Sequence, residues 1–225
     1  TTEQIIIEKQ LKEALERNKI EQDVIAIIAS NPVLFEQSLE EAIREIIELS
    51  AVAIKSERVS VWFFNDSETE LHCVDQYEYS LERHTSGYAL FESDYKREFE
   101  FLKSSKFIDA DDALHDDRTS NYAETYLTPN KITSMLDSVI RISGKNIGVL
   151  CFEHVDKIHS WEQDEITFAC QIADQIALLK LSEQRKEAEK QLIEAENLYR
   201  SLINTSPDGI IQADMTGNII FASPA

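Results

Sequence analysis

Positions Ile7, Leu11, Ala14, Asn18, Glu21, Ile25 and Ile28 follow one another at gaps alternating four and three. That is heptad spacing with two polar seats, and it predicts a helix over the first thirty or so residues. Asn31-Pro32 ends it, because the residue before proline is pushed out of the α region and proline cannot donate its backbone hydrogen bond. Ser38 with Glu41 predicts a capping box, after which Ile43, Ile46, Ile47 and Val52 mark the apolar side of an amphipathic helix to about residue 55. From Arg58 to Phe64, Val59, Val61 and Phe63 alternate with Ser60, Trp62 and Phe64; Asn65-Asp66-Ser67 turns the chain into a second alternating run, Leu71 to Tyr79. This predicts a hairpin.

From Ser86 to Asn130 the periodicity loosens into a crossover rich in Tyr, Phe and Asp, the kind of connection that often carries function. Strand character returns at Ser138 to Ser143 and Ile147 to His154, joined by Gly144-Lys145-Asn146. Ser160 with Gln163 predicts another capping box, and Ile166, Ala169, Cys170, Ala173, Ile176 and Ala177 the buried side of the helix it opens. Leu178, Leu181, Arg185, Ala188, Leu192, Ala195, Tyr199 and Leu202 continue at gaps of three and four among Glu, Lys and Gln. A parallel coiled-coil linker is expected there. The alternative is one solvated helix folded on its own domain; two heptad stripes, one near each end, favour a homodimer through the terminal helices.

Composition narrows the function. The 225 residues carry 22 Lys and Arg against 42 Asp and Glu, a formal net charge of -20, so phosphate backbones and anionic lipid are poor partners. Neither nucleic acid nor membrane contact is expected. A hydrophobic fraction of 43% with ten Phe and seven Tyr supports a packed core rather than a disordered chain. Cys73, Cys151 and Cys170 form no CxxC pair, which excludes a disulfide framework or zinc knuckle and points to a reducing, cytoplasmic setting. No apolar run approaches the roughly 18 residues a membrane helix needs.

Several segments then converge on one family. Ser134-Met135-Leu136-Asp137, Ile140, the run Ile147 to Val155, Trp161, Asp164-Glu165 and Phe168-Ala169 resemble the GAF domains of bacterial and archaeal sensor proteins. Upstream, Phe107 to Ala113, Asp117-Arg118-Thr119 and Tyr126-Leu127 resemble the crossover of the same group, so the likeness covers about residues 38 to 181. Leu198 to Leu202, Ser206 to Ile211 and Gly217 to Phe221 resemble the opening of a PAS domain, departing from it where Ser223 replaces the usual Asn. The resemblance implies an α+β fold: a central antiparallel sheet with helices on one face and the mixed crossover on the other, flanked by long N- and C-terminal helices. The expected organisation is a signalling helix over 1–37, the GAF domain over 38–181, a coiled-coil linker over 182–200 and an incomplete PAS start over 201–225. Such a series is the usual input half of a sensor histidine kinase, less often of a diguanylate cyclase, and the chain is expected to be a piece of a longer protein.

No catalysis is expected of this piece, because it contains neither a phosphoacceptor His in a helical hairpin nor a Gly-rich nucleotide lid. The cluster Asp109, Asp111, Asp112, His115, Asp116 and Asp117 has the oxygens a hard cation wants, but solvated loop carboxylates are the expected role and no metal site is assigned. Cyclic-nucleotide GAF domains carry Asn-Lys, then Phe, then Asp-Glu; Asn130-Lys131 and Asp164-Glu165 are present, but Trp161 stands at a shorter spacing than that Phe. Bilin-binding GAF domains use a Cys typically followed by His, which none of the three cysteines is. A thiol-dependent sulfoxide reductase is disfavoured because the cysteines fall on apolar positions. What remains is an unidentified small ligand, cofactor unknown, in a pocket between sheet and crossover to which Tyr77, Tyr79, Phe91, Tyr95, Tyr122, Tyr126, Met135, Asp137 and His154 could contribute. Core filling competes with that role for several of them, and Asp137 would either orient a ligand or pin the crossover backbone. The function expected is a non-catalytic sensory module relaying ligand binding through dimeric helices, with a ligand-free dimerisation spacer as the alternative.

Overall fold

Ser38 and Glu41 exchange the reciprocal bonds of a capping box, Glu41 N donating to Ser38 Oγ at 3.3 Å and Ser38 N to Glu41 Oε2 at 3.2 Å, and so start helix α3 (Leu39–Ile54). The computed structural model describes residues 2–205 and 211–222. Ahead of α3 lie α1 (Thr2–Ser30) and the single turn α2 (Val33–Glu36), separated at Asn31-Pro32. Strands β1 (Arg58–Phe64) and β2 (Glu70–Glu78) form the first hairpin, β3 (Arg83–Thr85) and β4 (Ala89–Phe91) pair with β2, and α4 (Lys96–Ser104) leads into β5 (Phe107–Ala110). After a 3₁₀ turn (Ser120–Tyr122) and a π-turn (Ala123–Leu127) come β6 (Ile132–Ile142), β7 (Lys145–Val155) and α5 (Gln163–Thr205).

The sheet runs β3-β2-β1-β7-β6-β5, antiparallel throughout, with β4 as an extra partner of β2. This is the expected α+β architecture. On one face, Ile43, Ile46 and Ile47 of α3, Phe168, Ile172 and Ile176 of α5, and Val24 and Ile28 of α1 close over Val59, Val61, Leu150 and Phe152. On the other, the crossover packs Phe99, Leu102, Ile108 and Leu127 over Trp62, Leu71, Val149 and Met135. The central strands are covered on both sides, which is why β6 and β7 carry near-continuous apolar runs.

Some details differ from the sequence expectation. Val52 is exposed, because the buried stripe of α3 runs through Ile43, Ile46, Ile47, Ser50 and Ile54 and leaves position 52 on the far side. β6 starts six residues before Ser138, and its hairpin turns on Ser143-Gly144 alone: φ is 51° and 82° there, and Ile142 already pairs with Lys145. Positive φ at both central residues is the two-residue turn whose twist suits a hairpin. Ser160 does not cap α5; its hydroxyl donates to Asp111 Oδ2 at 2.6 Å, and Glu165 Oε2 instead accepts from Glu162 N at 2.9 Å. Gly148 lies where β7 meets β1 so closely that a Cβ would stand 2.2 Å from the Trp62 carbonyl oxygen.

α1 is fastened to the start of α5. Arg17 Nε donates to Asp164 Oδ2 at 2.9 Å and its Nη2 to Oδ1 at 3.2 Å, while Glu21 is buried beside them with Oε1 lacking any hydrogen-bond donor. The N-terminal heptad row therefore divides: Glu21 and Ile28 are buried in the domain, whereas Ile7 and Leu11 are exposed. The chain separates into two compact units, 1–181 and 182–225. In the second, β8 (Ile211–Ala213) and β9 (Ile219–Ala222) form a hairpin whose turn is organised by Asp214, which accepts bonds from Thr216 and Asn218. The Ser206 to Ile210 part of the PAS-like pattern, and Ser223, lie outside the described residues. Among the described residues no helix is long and apolar enough to cross a membrane.

Two outcomes follow from these contacts. Gly148→Ala should destabilise the domain by about 1–3 kcal/mol in urea denaturation, since a backbone carbonyl cannot rotate away as a side chain can. An unchanged midpoint would show that β1 and β7 separate freely. Burial, reinforced by Asp164, pushes the Glu21 carboxyl up to about 7 from 4.5. The folded chain thus holds a proton that the unfolded chain releases, and stability contributed by protonated Glu21 is lost as pH rises through 7. Glu21→Gln should raise the melting temperature at pH 8 and change it little near pH 4.5; the opposite ordering would refute a buried, poorly paired Glu21.

Candidate functional site

Alternation along β6 and β7 sends Met135 and Asp137, with their cross-strand partners Glu153 and Cys151, toward the crossover. These side chains, with Trp62 of β1, Leu71 of β2 and Val149, form the floor of a cavity. Its roof is Leu90, Leu102, Tyr122 and Tyr126. Counted out to its mouth the space is about 340 Å³, of which about 20 Å³ is roomy enough for the centre of a water molecule. The lining is apolar apart from a few convergent polar groups, the usual character of a small-molecule site.

The roof is held down by a buried polar network. Arg58 Nε donates to Glu153 Oε2 at 2.8 Å, its Nη2 to Gln76 Oε1 at 2.9 Å and its Nη1 to Asn130 Oδ1 at 2.8 Å. Tyr126 donates from its hydroxyl to the other Glu153 oxygen at 2.7 Å, and Asn130 Nδ2 donates to the Tyr126 carbonyl at 2.7 Å. One ion pair on the sheet thereby fixes both ends of the segment Tyr126–Asn130. Burial pushes the Glu153 carboxyl up, opposed by Arg58 and the Tyr126 hydroxyl. Elsewhere the buried Glu98 accepts from Asn121 N at 3.2 Å and from Asn121 Nδ2 at 3.3 Å. Arg118 clamps Asp109 and Asp116, and Asp111 receives Ser160 and the Trp161 backbone. Much of the acidic crossover cluster is thus spent on structure, and among the described residues no group of His, Cys, Asp and Glu is arranged to hold a metal.

Asp137 stands apart from this network. It is 3% exposed, its Oδ1 accepts no hydrogen bond, and its side chain takes no part in the bonds that tie Arg58, Tyr126 and Asn130 together, although its backbone pairs with Ile108 of β5. Burial pushes its carboxyl up to about 7, only partly offset by the facing Cys151 thiol. The same burial raises Cys151 well above the ordinary thiol range and Cys73 to about 12, so neither is a thiolate at neutral pH.

Of the residues expected at the site, Tyr122, Tyr126, Met135 and Asp137 line the cavity together. Tyr95 supports them from behind, its ring 4.8 Å from that of Tyr122 and its hydroxyl 2.6 Å from Thr125 Oγ1. Phe91 is exposed at the end of β4, and Tyr79 is exposed in a 3₁₀ turn after β2. Tyr77 lies on the helical face against His84, because a bulge at Val61/Trp62 inserts one residue in β2 and reverses the alternation after Cys73. His154 points to the helical side as well, its ring 4.2 Å from His159 and 5.2 Å from Trp161. Burial and the neighbouring His159 lower it to about 4. Arg58, Trp62 and Glu153 also belong to the site and its support, beyond the residues the sequence pattern picks out. Strand alternation from Asp137 and Cys151 identifies Glu153, and the polar-side seat shared with Ser60 identifies Trp62; nothing local marks Arg58.

A family model for the GAF domain matches residues 38–179, and the chain belongs to the GAF domain family. GAF domains are sensory and regulatory ligand-binding modules, generally non-catalytic. No curated protein matches the chain in sequence. Among solved structures, the phycocyanobilin-bound GAF domain of a cyanobacterial phytochrome is similar at a TM-score of 0.61 and 17% identity, over 74% of this chain and 96% of that one. The GAF domain of a phosphoenolpyruvate-protein phosphotransferase from Coxiella burnetii gives 0.58 and 15%, over 78% and 98%. A domain of a protein described as a two-component sensor histidine kinase from Sinorhizobium meliloti 1021 gives 0.52 and 17%, over 69% and 99%. At these identities the likeness carries the fold alone.

The ion pair makes a sharp prediction. Arg58→Met strands Glu153 without its counter-charge and should cost about 3–5 kcal/mol, whereas the double change Arg58→Met/Glu153→Met should cost less than the single one. Equal or greater loss in the double variant, measured by chemical denaturation, would mean that packing rather than charge pairing holds the crossover.

Proposed function

We propose that this chain is a non-catalytic sensory module of a signal-transduction protein, of the kind placed before a histidine kinase on the cytoplasmic side, and that a small ligand in the cavity alters the packing of its terminal helices. The carrying observation is the cavity itself: an apolar space beneath the crossover into which one buried, unsatisfied carboxylate projects. A ligand that binds two helix packings unequally shifts the balance between them; equal affinity moves nothing. Three free cysteines suit a reducing compartment. A ligand-free dimerisation spacer is the second reading, favoured by how little of the cavity presently admits water. Thermal-shift screening across metabolites decides between them, since a ligand of the folded state must raise the melting temperature. No shift by any compound class would favour the spacer.

Both readings make the terminal helices a dimer seam. Ile7 and Leu11 on α1 and Leu178, Leu192 and Tyr199 on α5 are exposed at heptad positions, and Arg185 occupies a seat between them. Light scattering at micromolar concentration should report twice the chain's 25.8 kDa. Leu192→Lys should weaken the assembly and Arg185→Leu should tighten it. A monomer, or a dimer indifferent to both changes, would remove the seam from these heptad rows.

A further inference from the structure

We propose that the cavity is a site for a small primary ammonium compound, its charged head on Asp137 and its aliphatic body against Trp62, Leu71, Leu102 and Val149. The inference rests on the sensory-pocket reading and deepens it by naming the ligand class. Asp137 is an acceptor-only group when ionised, is almost fully buried, and leaves Oδ1 without a donor. A buried acceptor in that state gains most from a ligand that brings a donor, and more if the donor is charged.

The surroundings exclude the opposite charge. The groups facing Asp137 are the Cys151 thiol and the Glu153 carboxyl from β7, the Tyr122 hydroxyl from the 3₁₀ turn, and Arg118 from the crossover loop. Arg118 is committed to Asp109 and Asp116, and Arg58 to Glu153, Asn130 and Gln76. No cation among the residues named here is left to receive a phosphate or carboxylate, while two buried carboxyls stand to repel one. Trp62 and Tyr122 add aromatic rings to the lining, and a desolvated cation is attracted to such rings. As it stands the enclosed space holds about one water, so a short aliphatic chain enters only when the part of the roof not tied to Glu153, which is Leu90, Leu102 and Tyr122, moves outward.

Proton linkage sharpens the expectation. With Asp137 titrating at about 7, an ammonium ligand binds the ionised form, so its affinity should rise about tenfold from pH 6 to pH 8. Neutral ligands have no such slope.

The test uses the whole chain and three isosteric probes, n-butylammonium, n-butanol and butyrate, followed by titration calorimetry. Butylammonium should bind at least about tenfold more tightly than butanol at pH 8, and butyrate more weakly than either. Asp137→Asn should abolish the ammonium preference while leaving butanol unchanged. That arm also separates the site from the general attraction of a chain of net charge -20 for cations. Should Asp137→Asn fail to fold, the wild-type pH dependence decides alone, and a flat affinity from pH 6 to 8 overturns the proposal. Butanol or butyrate binding as well as butylammonium overturns the ligand class and leaves the pocket standing. Silence from all three overturns the proposal, and the pocket falls with it only if the broad thermal-shift screen is blank too.

Discussion

The ion pair between Arg58 and Glu153 is the interaction on which the two-sided architecture depends. Both charges lie in the floor of the sheet, so each would be costly alone, and their mutual attraction repays desolvation only with every remaining donor and acceptor matched. Gln76, Asn130 and Tyr126 supply those matches. Because Tyr126 and Asn130 belong to the crossover, satisfying the pair fixes the crossover in place. The cavity exists as a consequence. With the roof pinned at Tyr126, Trp62 and Val149 of the floor and Leu102 of the roof do not fill the space next to Asp137.

β7 is also the element through which cavity and helices feel one another. Cys151 and Glu153 face the cavity, while Phe152 and His154 face α5 and its lead-in, with the Phe152 ring 6.4 Å from Phe168 and His154 stacked near His159 and Trp161. A displacement of β7 therefore acts on both layers at once, since packed interiors transmit strain rather than absorb it. Glu165 extends the line: it accepts from the Glu162 backbone, contacts His159 Nε2 at 2.9 Å, and adjoins Asp164, which holds Arg17 of α1. These contacts form a contiguous path from the cavity to the N-terminal helix.

The sequence made the layers legible because periodicity reports burial directly. The stripe of α3, the alternation of β1 and the apolar run of β7 each match the face they occupy. The candidate site was legible at Met135 and Asp137, where alternation along β6 holds, whereas Tyr77 and His154, expected beside them, lie on the helical side. The β2 bulge turned Tyr77 to the helical face, and a bulge has no composition cue of its own. β3, β4 and β5 are three or four residues long, too short for any period, and their pairing is set by the tertiary fold. Arg58 illustrates a different limit. An arginine at a strand's first position suggests solvent, and only the distant Glu153, Gln76 and Asn130 make it buried.

Buried polar atoms without hydrogen-bond partners are few in a well-packed domain, so their location is informative. Here Asp137 Oδ1 lies in the cavity, His154 Nε2 and Trp161 Nε1 behind β7, and Glu21 Oε1 where α1 meets α5. These four lie along the same path from the cavity to the N-terminal helix. Each marks a buried polar atom whose desolvation is not repaid by a hydrogen bond. Arg58, Glu98 and Arg118, by contrast, are each held by more than one hydrogen bond. A domain rigid everywhere could not relay a ligand's presence, and one loose everywhere could not localise it. The other unmatched atoms among the described residues, Gln37 Nε2, Asp75 Oδ1, Ser138 Oγ and Gln171 Oε1, lie outside that path, so the open groups alone do not define one direction in which the domain yields.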